Sequence, residues 1–162
     1  IKTFSDNIHK FLSINVTVET LVLRAIPGLA GSLGLEFFKA LGTSSSLVKL
    51  SLWSNDSARM SEQNARYFGH SIALNAKKEN KLVHLDAIGV FSSDSLNSFF
   101  QNMYYTPDID NLLTGCNSLT SSKTSGSKID DTPPVYLNNL VSLNISDNQI
   151  DNSFKWNLWT MH

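Results

Sequence analysis

Leucines recur along the chain in one frame. The segment Leu140-Val141-Ser142-Leu143-Asn144-Ile145-Ser146-Asp147-Asn148-Gln149-Ile150 fits the template L-x-x-L-x-L-x-x-N-x-L at every fixed position. Ile109, Leu112, Thr114, Asn117 and Leu119 repeat the frame, as do Leu47, Leu50, Leu52 and Asn55. Leu82, Leu85 and Ala87 form another copy, with Val90 in the Asn slot, and Val18, Leu21 and Leu23 form a fifth, with Ile26 there. The copies start at 18, 47, 82, 109 and 140, a mean spacing of about 30 residues. That length accommodates one strand and one helix per copy. Such a pattern predicts parallel strands stacked side by side. The first, fourth and sixth template positions then point into the core.

Helical spacing fills most of the intervals. Phe4, Ile8, Phe11 and Leu12 form one apolar stripe at the start. Leu33, Phe37, Ala40 and Leu41 form a second over residues 32–42, with Gly42 read as its C-cap. Ala65, Phe68, Ile72 and Ala76 form a third over 61–75, with Ser61 as N-cap. Leu96, Phe99, Phe100 and Met103 form a fourth over 95–104. The interval 120–134 is polar and holds Gly and Pro, which predicts a surface loop in place of a helix.

The expected architecture is therefore an α/β solenoid of about five repeats over residues 1–155, with a concave parallel sheet and convex helices. The tail 156–162 carries Trp156, Leu158, Trp159 and Met161, which either cap the open end or continue into a further repeat. In the turns, Asn55, Asn117 and Asn148 are expected to hydrogen-bond backbone groups left unpaired there. The copies with Ile26 and Val90 need another solution.

The second, third, fifth, seventh and eighth template positions face outward on the sheet. They are Glu19, Thr20, Val22, Arg24 and Ala25 in the first copy, then Val48, Lys49, Ser51, Trp53 and Ser54 in the next. The copy at 82 offers Val83, His84, Asp86, Ile88 and Gly89. An outward Trp is a typical interface anchor, so Trp53 heads the candidates, flanked by Arg24 and Ile88 one copy away on either side. Arg24 is placed to stack on it. Lys49, His84 and Asp86 complete a polar patch. His84 with Asp86 also permits proton transfer, but the motifs position no Ser or Cys nucleophile beside them, so a solvated recognition face is the expected role.

Composition narrows the function classes. Net charge is −1, and charged residues make up 17%, below the usual quarter, which gives no basic footprint for nucleic acid. No apolar run reaches the about 18 residues a membrane span needs. Cys116 is the only cysteine, which allows no internal disulfide and favours a reducing, cytoplasmic setting. In the eighth template position it reads as structural or incidental. His9, His70, His84 and His162 lack metal-site spacing, so no metal and no cofactor is expected. Sequons at Asn15, Asn55 and Asn144 are chance matches in a chain rich in Asn and Ser. The start at Ile1-Lys2-Thr3-Phe4 suggests a piece of a longer protein.

The Leu-x-x-Leu-x-Leu-x-x-Asn motif with intervening helices resembles the ribonuclease-inhibitor-like leucine-rich repeats, and the likeness spans residues 1–155. Within that class the chain looks most like the repeats of CARMIL, the actin capping-protein linkers. The run from Val18 through Ala40-Leu41 and the Thr43-Ser44-Ser45-Ser46 turn to Leu52 carries this likeness, as do Leu82–Asp86 and Leu143–Asn148. The resemblance implies a non-enzymatic scaffold that binds another protein on its concave face, in actin regulation. A GTPase activator or enzyme inhibitor, an immune-sensor or pathogen-effector segment, and a purely architectural stretch are the alternatives.

Overall fold

A computed structural model describes residues 2–26, 28–30, 33, 35–54, 59–78, 80–103, 140–152 and 154. Along these residues helices and strands alternate. They are α1 (Lys2–Ile14), β1 (Thr20–Arg24), α2 (Leu35–Thr43), β2 (Lys49–Trp53), α3 (Glu62–Lys77), β3 (His84–Ile88), α4 (Ser93–Gln101) and β4 (Ser142–Asn144). The strands form one parallel sheet in chain order. Parallel neighbours need a crossover of a dozen or more residues, which the helices supply.

The leucine frame sets the register. Leu21, Leu50, Leu85 and Leu143 stand side by side, and Leu23, Leu52 and Ala87 form the next row. Two backbone patterns recur from unit to unit. The carbonyls of Glu19, Val48 and Val83 each accept two N–H groups from the following unit, and the first pair is Val48 and Lys49 at 2.8 Å each. At the other strand end, Ala25, Ser54 and Gly89 donate their N–H to Trp53, Ile88 and Ser146 of the next unit. Ala25, Gly89 and Asp147, all at the eighth template position, adopt positive φ. At Gly89 a side chain would also collide with the Ser54 carbonyl, 2.6 Å from an added Cβ.

Helices pack on their sequence neighbours and close one core with the strand leucines. A chain of phenylalanine rings runs through it. Phe4 stacks on Phe37, Phe37 meets Phe38 edge-on, and Phe38 leads to Phe68, which contacts Phe91 and Phe99; Phe99 leads to Phe100 and then Phe154. The helix starts are chemically marked. Ser61 caps α3 by accepting the N–H of Asn64, and Ser92 with Ser95 forms a reciprocal capping box on α4.

Two expectations change. Gly42 lies inside α2 and is no cap. An added Cβ there would sit 2.8 Å from the Ser71 carbonyl, so the glycine lets α2 approach α3. The helix expected over 95–104 spans Ser93–Gln101, because the Ser92 capping box starts it earlier. β3 pairs directly with β4, so the described sheet joins the copy at 82 to the copy at 140. Residues 109–119, the loop 120–134 and the tail 156–162 lie outside the described residues, as do Asn55, Cys116 and Asn117.

Turns without the template Asn are completed from elsewhere. Ile26 and Val90 are buried and fill the space with hydrocarbon. Carbonyls of the first turn receive bonds from Asn64 of α3, whose Nδ2 reaches Leu29 O at 3.0 Å and Gly28 O at 3.4 Å. At the helix-to-strand connections, Asn75 near the end of α3 donates to Ser44 O at 3.2 Å and accepts the N–H of Leu82 at 3.3 Å. Buried amides of this kind hold backbone groups that would otherwise be unpaired.

Candidate interaction surface

Strand alternation sends Leu21, Leu50 and Leu85 inward and their chain neighbours outward. Three rows of side chains result on the open face. Thr20, Lys49, His84 and Ser142 are in register, then Val22, Ser51, Asp86 and Asn144, then Arg24, Trp53 and Ile88. Arg24, Lys49, Trp53, His84, Asp86 and Ile88 are thus brought to one face of three adjacent strands.

Two pairs organise this face. The Arg24 guanidinium carbon lies 5.2 Å above the centre of the Trp53 ring, a cation–π contact between neighbouring strands. The indole is held from its other end, where Nε1–H donates to the Ser51 hydroxyl at 2.7 Å. Diagonally across β2 and β3, Lys49 Nζ lies 3.1 Å from the Asp86 carboxylate, with the side chains 44% and 18% exposed. Asp86 therefore serves Lys49, and His84 stands beside Lys49 in the same row, one strand over.

Ile88 departs from the expected exposure. It points outward in register with Trp53 but is only 8% exposed. Trp53 flanks it on one side, and the Ser146–Asp147 turn flanks it on the other, where Gly89 N–H meets Ser146 O at 3.1 Å. Ile88 therefore supports the indole and offers little surface of its own. Ser51 is likewise buried at 3%, beneath the indole it anchors.

Val22 was legible as an outward position, but its weight on this face was not. It is 48% exposed, two residues before Arg24 on β1. An apolar side chain at the fifth template position of an outer strand was the signal that marks it. Asn148 acts as expected of a turn Asn, but it also serves the neighbouring unit: its Nδ2 donates to Ile145 O and to Ala87 O, each at 2.7 Å.

Among the described residues no group of three or more His, Cys, Asp or Glu side chains is arranged to hold a metal ion. No helix among them is long and apolar enough to cross a membrane. A polar groove lies elsewhere, between the first turn of α4 and the β4 turn, lined by Ser92, Asp94, Asn148 and Asp151 among others. Comparison of the chain with protein-family models, with curated proteins and with solved structures finds no match.

Proposed function

We propose that this chain is a stretch of leucine-rich repeat solenoid, of the ribonuclease-inhibitor-like type, whose sheet face binds another protein. One observation carries the proposal: Arg24, Trp53, Lys49 and Asp86 come from three strands yet form two oriented pairs on a face that still reaches solvent. The recurring backbone bonds and the in-register leucines support the repeat reading. Trp and Arg fixed by neighbours are the residue types that anchor interfaces, since they bury area without losing much side-chain freedom. The resemblance to CARMIL repeats extends the proposal to a non-enzymatic scaffold of the cytoplasm in actin regulation.

The test is affinity capture from cell extract with three forms of the chain: wild type, Trp53→Ala/Lys49→Ala, and Glu36→Ala as a control on exposed α2 surface. The proposal expects partners bound by wild type and the control to be lost from the double variant. Equal recovery by all three forms, or recovery by none, removes the sheet face as the binding surface.

A further inference from the structure

We infer that the sheet face takes an acidic polypeptide segment, with a partner carboxylate seated in the guanidinium fork of Arg24 and an apolar side chain beside it on Val22. The inference rests on the proposal that this face is the binding surface.

The argument starts from how the cations on this face are spent. Lys49 is committed to Asp86 at 3.1 Å. Arg24 is exposed and has no acidic partner among the described residues; its contact is with the Trp53 ring. Stacking uses the flat face of a guanidinium and leaves its in-plane N–H donors free. The ring beneath it is itself fixed, because the indole N–H is held by Ser51 at 2.7 Å. The fork is therefore oriented before any partner arrives, which reduces the ordering cost of binding. A planar, oriented pair of donors fits a carboxylate bidentately. Val22, half-exposed two residues earlier on the same strand face, supplies apolar contact alongside.

Charge selects the class of partner. A polyphosphate backbone would need several uncommitted cations along the face. Here Lys49 is neutralised, Asp86 stands in the middle row, Glu19 is exposed next to β1, and the whole chain carries a net charge of −1. Arg24, a guanidinium without an acidic partner among the described residues, lies beside aliphatic surface and suits a single Asp or Glu within a polypeptide.

The experiment is selection of phage-displayed random short peptides on the whole chain, followed by anisotropy measurements with wild type, Arg24→Gln, Arg24→Lys and Trp53→Ala. Arg24 is exposed, so its variants are expected to keep the wild-type circular dichroism and urea midpoint. Enriched peptides should carry Asp or Glu next to an aliphatic residue. Arg24→Gln should weaken them about tenfold or more, with Arg24→Lys between. Replacing the peptide's Asp or Glu by Asn or Gln should cost wild type the same factor and cost Arg24→Gln nothing further. If Trp53→Ala abolishes binding while Arg24→Gln leaves it intact, the acidic inference falls and the binding face stands. If neither variant matters, both fall. Enrichment without acidic residues, failure to enrich any peptide, or Arg24-dependent binding of single-stranded oligonucleotides alone also overturns the inference.

Discussion

Asn148 accepts the backbone N–H of Phe91 at 2.6 Å, across a sequence separation of 57 residues. Its amide nitrogen donates to Ala87 O and Ile145 O, so one side chain ties β4 to the turn that follows β3. Replacing it by Ala leaves three backbone groups without those bonds, and the expected loss is about 1–3 kcal/mol in urea unfolding. Asn148→Asp should cost more than Asn148→Ala, because a carboxylate oxygen would face two carbonyls. Hydrogen exchange at Phe91 should quicken in both variants. A wild-type midpoint in either one contradicts the bridging role.

Gly69 offers a prediction in which the usual sign reverses. Replacing a glycine inside a helix by Ala ordinarily stabilises by about 0.5–1 kcal/mol. Here an added Cβ would meet Phe99 O at 2.5 Å and the Asn102 carbonyl carbon at 2.9 Å. Both are backbone atoms, so α4 must move away from α3. Gly69→Ala is expected to destabilise by about 1–3 kcal/mol, read from the urea midpoint.

The leucine frame made the strand register legible, because a side chain period of two with fixed inward positions admits little slippage when one face is buried. From that register the pairing of Arg24 with Trp53 followed directly. What escaped was chemistry not tied to the frame. Asn64 and Asn75 lie in a helix, where nothing in their spacing reveals that they serve turns some thirty residues away. Gly42 has the composition of a cap, but its value lies in the closeness of another helix, which the chain's local pattern does not encode. The outward direction of Ile88 was readable, but its burial depends on the size of Trp53 and the position of the β4 turn.

Phe68 sits where the aromatic chain branches, with ring centres 5.6 Å from Phe38, 5.0 Å from Phe99 and 6.4 Å from Phe91. It joins three successive units, whereas Phe4 contacts one ring at 6.0 Å at the start of the stack. Phe68→Ala should cost about 3–5 kcal/mol, the range for a fully buried aromatic. Phe4→Ala should cost clearly less, since Phe4 is only partly buried. Urea unfolding of the two variants checks the order, and equal losses would contradict the branching role.

His70 makes stability depend on pH. It is buried on α3, and its Nε2 bonds to Asn102 Oδ1 at 2.8 Å, while the Asn102 amide is oriented by donating to Ser98 O at 2.7 Å. With that orientation His70 donates through Nε2, and Nδ1 is left buried without a partner. Burial lowers the imidazole pKa below its ordinary value of 6.5; the bond to Asn102 opposes this, and the nearby Arg66 charge adds to it. A base whose folded pKa is depressed takes up its proton first in the unfolded chain. Its full contribution is therefore present above the unfolded pKa and is lost as pH falls below about 6.5 toward the folded value. Wild type should lose stability between pH 7.5 and pH 5.5 more steeply than His70→Gln, which cannot protonate in this range and keeps an amide donor for Asn102. Arg66→Gln should make the wild-type loss smaller, because removing one repulsive charge lets the folded pKa rise toward the unfolded value. Urea midpoints across that interval decide it: parallel profiles for wild type and His70→Gln would show that this imidazole is not the group that titrates.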